Sequence, residues 1–124
     1  MAKSDVPAPP RGTRVNGRKL WGDVLGKYEL EQHELALLGE MVRTVDLLDQ
    51  LAAIVAREGL MVQGPHGSKP HPAVVEARQA RIALARLTAA LRLPAGDVND
   101  QAVGRRPQRR VGVRGVYGVR AVGS

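Results

Sequence analysis

The stretch EQHELALLGEMVRTVDLLDQLAAIVARE, residues 31–58, decides the fold. Its apolar residues recur at alternating three- and four-residue steps: Leu38, Met41, Val45, Leu48, Ala52 and Val55 make a seam of coiled-coil type. Leu37, Leu47, Leu51 and Ile54 form a second strip beside it. Together the two strips are wider than the stripe one partner helix would need. The spacing predicts a single helix over about Glu31–Glu58, roughly 40 Å long at about 1.5 Å per residue. Gly59 follows it as the left-handed cap residue. Gln32, His33 and Glu34 fall in the first turn, where a carboxylate offsets the helix dipole. Such a helix needs partners on more than one side.

After it comes the connector GLMVQGPHGSKPH, residues 59–71. Leu60–Gln63 reads as a short strand and Gly64-Pro65-His66-Gly67 as its turn, which predicts a small hairpin. Pro72 is a favoured first helical residue, and a third helix is expected from there to about Arg92, ended by Leu93-Pro94-Ala95-Gly96. Val75, Ile82, Leu84, Leu87 and Leu91 supply its apolar face. Arg78, Arg81 and Arg92 fall within about 60° of one another at 100° per residue, a basic stripe.

Before the long helix, Leu20, Trp21, Val24 and Leu25 share a stripe at helical spacing, which predicts a short helix over about Arg18–Lys27. Trp21 reads as a packing anchor. Pro7, Pro9 and Pro10 exclude helix upstream, and Gly12, Asn16 and Gly17 read as loop formers. At the other end, residues 104–124 read GRRPQRRVGVRGVYGVRAVGS. Such a segment buries too little apolar surface to offset its ordering entropy. Its Val–Gly alternation suits a strand only where a partner supplies an edge.

The expected fold is therefore mainly α. It comprises a short N-terminal helix, then a long antiparallel helical hairpin with a small β-turn connector, with flexible basic arms at both ends. The expected division is a flexible Pro-rich basic arm at 1–17, a helical oligomerisation and DNA-recognition domain at 18–96, and a disordered Arg/Gly-rich tail at 97–124. An ordered part of about 75 residues buries only about 60–65% of its unfolded surface and is marginal alone, so self-association is expected. Leu38, Met41, Val45, Leu48 and Val55 are the candidate subunit interface.

The net charge of +7 is unevenly spread. Residues 1–19 carry +4, residues 20–58 carry −5, and residues 59–96 and 97–124 carry +4 each. Basic ends around an acidic middle favour a polyanionic partner for the ends. Fifteen of the nineteen cations are Arg, whose fork grips phosphate bidentately. The same bias arises in a high-GC genome. Candidate nucleic-acid contacts are Arg11, Arg14, Arg18 and Lys19 in the arm, Arg78 and Arg81 on the third helix, and Arg105, Arg106, Arg109 and Arg110 in the tail. A solvated helix face and a solubilising tail are the plainer readings of the last two sets. No helix-turn-helix spacing is evident.

Catalytic chemistry finds little footing. With no cysteine in the chain, thiolate metal sites are excluded. His66 and His71 sit in the connector without carboxylates to complete a metal site, and read as loop or capping residues. The segment Gly64–Lys69, GPHGSK, lacks P-loop spacing. No nucleophile elbow surrounds Ser4, Ser68 or Ser124. The carboxylates Glu29, Glu31, Glu34, Glu40, Asp46 and Asp49 read as mostly solvent-facing. A core of small aliphatics, with no Phe, one Trp and two Tyr, suits close helix packing better than a ligand cavity. No catalytic residue, metal or cofactor is expected, and the chain is read as not an enzyme. Apolar runs are far short of the roughly 20 residues a bilayer span needs, and Met1–Pro10 lacks the apolar core of a signal peptide.

Several segments in order resemble the small subunits of tailed-phage terminases of the siphophage type. They are the Pro7–Pro10 arm; Gly17, Leu20, Trp21 and Tyr28-Glu29-Leu30 in GRKLWGDVLGKYEL; ELALLGEMVRTVDLLDQL; and Gly59 with the Gly64–Gly67 turn. His71-Pro72-Ala73 and the Glu76-Ala77-Arg78-Gln79-Ala80-Arg81 run, ending at Leu91–Pro94, complete the set. The resemblance covers about residues 7–96; the Arg-rich tail lies outside it. Glu31 departs from the pattern, standing where Ser, Thr or Asp is the usual cap. The resemblance implies a non-catalytic protein that recognises double-stranded viral DNA at its packaging start. It also implies assembly into a ring-like homo-oligomer that loads and regulates the large terminase subunit, the ATPase and nuclease, in the cytoplasm of an infected bacterium. The alternative is a nucleoid-like or RNA-binding basic protein of a host or mobile element. A third class is a protein-interaction scaffold with no DNA affinity.

Overall fold

The computed structural model describes residues 6–94 and the backbone of 109–110. It is mainly helical: α1 spans Val15–Lys27, α2 Gln32–Glu58 and α3 Pro72–Leu91. Four short strands accompany them: β1 (Tyr28–Glu29), β2 (Met61–Gly64), β3 (Gly67–Pro70) and β4 (Arg109–Arg110).

The long helix forms where its periodicity placed it. Glu31 is its N-cap, and the Glu34 carboxylate accepts the Glu31 N–H at 2.7 Å in a capping box. A Glu therefore does here what a Ser or Thr usually does. At the other end Gly59 donates its N–H to the Val55 carbonyl. Its φ of 92° is positive, but with ψ at 167° it leaves the helix in extended form rather than in the left-handed basin.

The connector is a hairpin, with Met61 opposite Pro70, Val62 opposite Lys69, Gln63 opposite Ser68 and Gly64 opposite Gly67. His71 then caps α3: its Nδ1 accepts the Ala73 N–H at 2.9 Å. Since Nδ1 is an acceptor, the ring proton sits on Nε2, which donates to the Glu58 carboxylate at 2.7 Å. That hydrogen bond, with the weaker attraction of Arg57, lowers the Glu58 pKa from its ordinary value of 4.5; desolvation opposes it. One buried imidazole thus ties the last turn of α2 to the first of α3. The helix ends at Arg92, which adopts the left-handed conformation (φ 57°, ψ 47°).

Two clusters form the interior. The larger joins Trp21, Val24 and Leu25 of α1 to Tyr28 and Leu30, to Leu38, Met41 and Val42 of α2, and to Leu91 of α3. Leu25, Leu38, Val42 and Leu91 are fully enclosed; aliphatic side chains of that size contribute about 1.5–3 kcal/mol each on burial. The smaller cluster sets Leu51 of α2 against Ala73 and Ala77 of α3, with Leu48, Ile54 and Val55 half-buried around it. Thus the first turns of α3 lie on the last turns of α2, and Leu91 comes back to the first turns of α2. Alanines at the contact let the two helices approach closely.

Three expectations need correction. Residues 6–17 are not a free arm. The Trp21 Nε1–H donates to the Pro7 carbonyl at 2.9 Å, Thr13 is buried, and Pro10 lies 3.6 Å from where a Cβ on Gly39 would stand. Helix α1 also starts earlier, at Val15 instead of Arg18, with Asn16 and Gly17 inside it. The reason is a cap supplied from another helix: Asp46 of α2 accepts the N–H of Arg14 at 2.6 Å and of Gly17 at 2.8 Å. Accordingly, Asp46 does not face solvent but is 5% exposed, and Glu34 is 2% exposed. The expectations for residues 1–5, and for the tail from 97 onward apart from the backbone of 109–110, lie outside the described residues. The Arg109–Arg110 backbone pairs antiparallel with β1, Tyr28 opposite Arg110 and Glu29 opposite Arg109.

Candidate nucleic-acid interface

The cations singled out in the sequence stand on three parts of the body. Arg11 and Arg14 belong to the turn leading into α1, Arg14 as its N-cap; Arg18 and Lys19 lie in the first half of α1; Arg78 and Arg81 lie on α3. All six are exposed. Among the described residues the carboxylates of Glu40 and Glu58 pair with Arg43 and Arg57, and none of the six has a carboxylate partner there. Arg14 and Arg18 are four residues apart at the start of α1 and share a face. On α3 the stripe is shorter than its spacing suggested, because Arg92 has left the helix through a left-handed turn. Arg105 and Arg106 lie outside the described residues, and of Arg109 and Arg110 only the backbone is placed, in β4.

Around Arg11 and Arg14 the surface is concave. A cleft of about 250 Å³ opens between the Arg11–Arg14 turn and the middle of α2. Arg43, Asp46, Leu47 and Gln50 form its α2 wall. Arg43 and Gln50 were not among the expected contacts. Nothing in their local sequence distinguishes them from an ordinary solvated helix face, and only the docking of the N-terminal turn onto α2 brings them beside Arg11 and Arg14. That docking follows from the Asp46 cap.

The expected subunit interface divides. Leu38 and Met41 are 0% and 4% exposed inside the chain's own core, under α1 and Leu91. They are therefore not available to a partner, because helical periodicity marks a buried face without saying which chain buries it. Val45, Leu48 and Val55 are half-buried. Leu48 and Val55 line an apolar groove of about 320 Å³ between the C-terminal part of α2 and the start of α3, with Leu51, Leu60, Val74 and Ala77. Arg81 stands at the same groove. Nearby positions leave large side chains exposed: Leu60 64%, Met61 52%, Val75 41% and Ile82 44%.

Among the described residues no group of three or more His, Cys, Asp or Glu is placed to hold a metal ion, and no helix is long and apolar enough to cross a membrane. Compared with protein-family models, curated proteins and solved structures, the chain matches none.

Proposed function

We propose that this protein is a non-catalytic DNA-recognition subunit of a phage packaging machine, of the small-terminase type. The observation that carries the reading is the set of six exposed cations without carboxylate partners among the described residues, Arg11, Arg14, Arg18, Lys19, Arg78 and Arg81. Unpaired guanidiniums at a surface are free to replace the counterions of a polyphosphate. The order of motifs along residues 7–96 supplies the phage context.

In this reading α2 and α3 act as a long antiparallel hairpin whose outer surface joins copies into a ring. The apolar groove at Leu48, Leu51, Val55 and Leu60 supports it, as do the individually exposed side chains of Met61, Val75 and Ile82. Large contiguous apolar patches mark interaction sites more often than bare surface. The oligomer binds double-stranded viral DNA in the cytoplasm of the infected bacterium and presents it to the large subunit, which carries the ATPase and nuclease. Arg105, Arg106, Arg109 and Arg110 add phosphate contacts.

The test is mass photometry of the purified chain with and without a duplex from its own packaging region. A discrete large oligomer that shifts only with that duplex is the expected result. A monomer or dimer coating any duplex equally replaces this reading with the nucleoid-like one. No DNA affinity at moderate salt replaces it with a protein scaffold.

A further inference from the structure

We propose that the cleft between the Arg11–Arg14 turn and α2 is a phosphate-binding subsite, in which the guanidiniums of Arg11, Arg14 and Arg43 close on one backbone phosphate of a nucleic acid. The inference rests on the nucleic-acid reading above and assigns it a location and a new residue, Arg43.

Three arginines, two from the N-terminal turn and one from α2, line one concavity of about 250 Å³, with Gln50 on the same wall. Arginine rather than lysine suits a tetrahedral oxyanion, because each fork offers paired donors to phosphate oxygens. The acidic group in the cleft is already occupied. Asp46 is 5% exposed and accepts two backbone N–H groups, from Arg14 and Gly17. Its oxygens face the N-terminus of α1, and among the described residues it forms no ion pair with the three arginines. The same bonds fix the Arg14 backbone, and Thr13 both donates its hydroxyl and its N–H to the Pro10 carbonyl. The turn that carries Arg11 and Arg14 is therefore set before a ligand arrives, which reduces the ordering cost of binding.

Arg43 is the movable member. It holds Glu40 at 2.7 Å, but both side chains are more than half exposed, at 56% and 58%. An exposed pair one helical turn apart is weakly held, so a phosphate flanked by Arg11 and Arg14 outcompetes the single Glu40 carboxylate. Leu47, 39% exposed on the same wall, offers an apolar surface to a sugar ring. An acidic protein segment would meet the same guanidiniums, but the further exposed cations Arg18 and Lys19 on α1 suit a repeating polyanion better.

The experiment uses the full chain and two probes. Duplex DNA of random sequence is titrated at several salt concentrations against the wild type, Arg43→Gln and Arg86→Gln, an exposed α3 cation outside the cleft. Pyrophosphate and oligoglutamate are titrated separately while backbone amide resonances are followed. Arg43→Gln is expected to weaken duplex binding about five- to tenfold. It should also reduce the slope of log K against log salt by about 0.9, with an unchanged melting temperature, while Arg86→Gln keeps more of both. Pyrophosphate is expected to shift the amides of Gly12, Thr13 and Arg43 saturably. Wild-type duplex binding that Arg43→Gln leaves intact overturns the subsite and spares the nucleic-acid reading. Failure of the duplex to bind, with a saturable pyrophosphate response at those amides, overturns that reading and keeps a phosphate site. Oligoglutamate binding as tightly as pyrophosphate overturns the phosphate assignment itself.

Discussion

Asp46, in the middle of α2, accepts the Gly17 N–H at 2.8 Å, and a Cβ on Gly17 would stand 2.5 Å from its Oδ2. Replacing Gly by Ala inside an ordinary exposed helix stabilises by about 1 kcal/mol. Here the sign reverses: Gly17→Ala is expected to destabilise by about 1–3 kcal/mol, as overpacking does. Asp46→Ala removes the cap from α1 and costs about 0.5–2 kcal/mol. Urea denaturation of both variants checks this, and a Gly17→Ala protein more stable than the wild type would refute the remote cap.

Trp21 holds the N-terminal segment through its indole N–H on the Pro7 carbonyl. Trp21→Phe keeps most of the apolar volume but loses that bond, a net change of about 1 kcal/mol. Residues 6–14 should then exchange amide hydrogens faster while α2 keeps its protection. Equal exchange in both proteins would mean that the segment is held by Pro10 and Thr13 alone.

The Glu58–His71 pair sets a pH dependence. The Glu58 carboxyl is depressed below 4.5, chiefly by the hydrogen bond from His71. A depressed carboxyl contributes stability that is fully present above its ordinary value of 4.5 and that disappears as pH falls through the lower folded value. Glu58→Gln should therefore flatten the loss of stability below pH 4.5. Melting temperatures from pH 6 down to pH 3 measure it; parallel curves for the two proteins would argue against the pair.

Leu38 and Leu48 lie on one helix with opposite consequences. Leu48→Asp is expected to dissociate the proposed oligomer and leave a folded chain, because Leu48 lines the open groove. Leu38→Asp buries an unpaired carboxylate at a fully enclosed position and is expected to unfold the chain. Light scattering and circular dichroism together separate the outcomes. An unchanged mass for Leu48→Asp removes the groove from the interface.

The parts of this fold that were legible in the sequence are those governed by neighbours along the chain. The period of α2, the Pro65-His66 turn and the Pro72 start of α3 are local signals, and the helices and hairpin stand where those signals put them. Residues 14–17 went the other way because Asn16 and Gly17 favour loops locally, while the acceptor that makes them helical is Asp46. Similarly, Leu38 and Met41 carry the same periodic mark as Leu48, yet Trp21, Val24 and Leu91 fold over that end of α2 and leave the other end open. Arg43 joined the candidate site only through space. Glu34 and Asp46 are buried because backbone N–H groups receive them, which no count of carboxylates along a helix conveys.

The remote cap also makes the start of one helix depend on another. Asp46 lies 32 and 29 residues from the N–H groups it accepts, and a thirteen-residue helix such as α1 is marginal in isolation. α2 and α3, joined by a short hairpin, can assemble from near-neighbour contacts, whereas α1 has no start signal until α2 exists to supply one. The start of helix α1 therefore depends on a residue of α2, since the Arg14 and Gly17 N–H groups both donate to Asp46. Arg11 and Arg14 lead into that start, so the geometry they present is inherited from a side chain elsewhere in the chain.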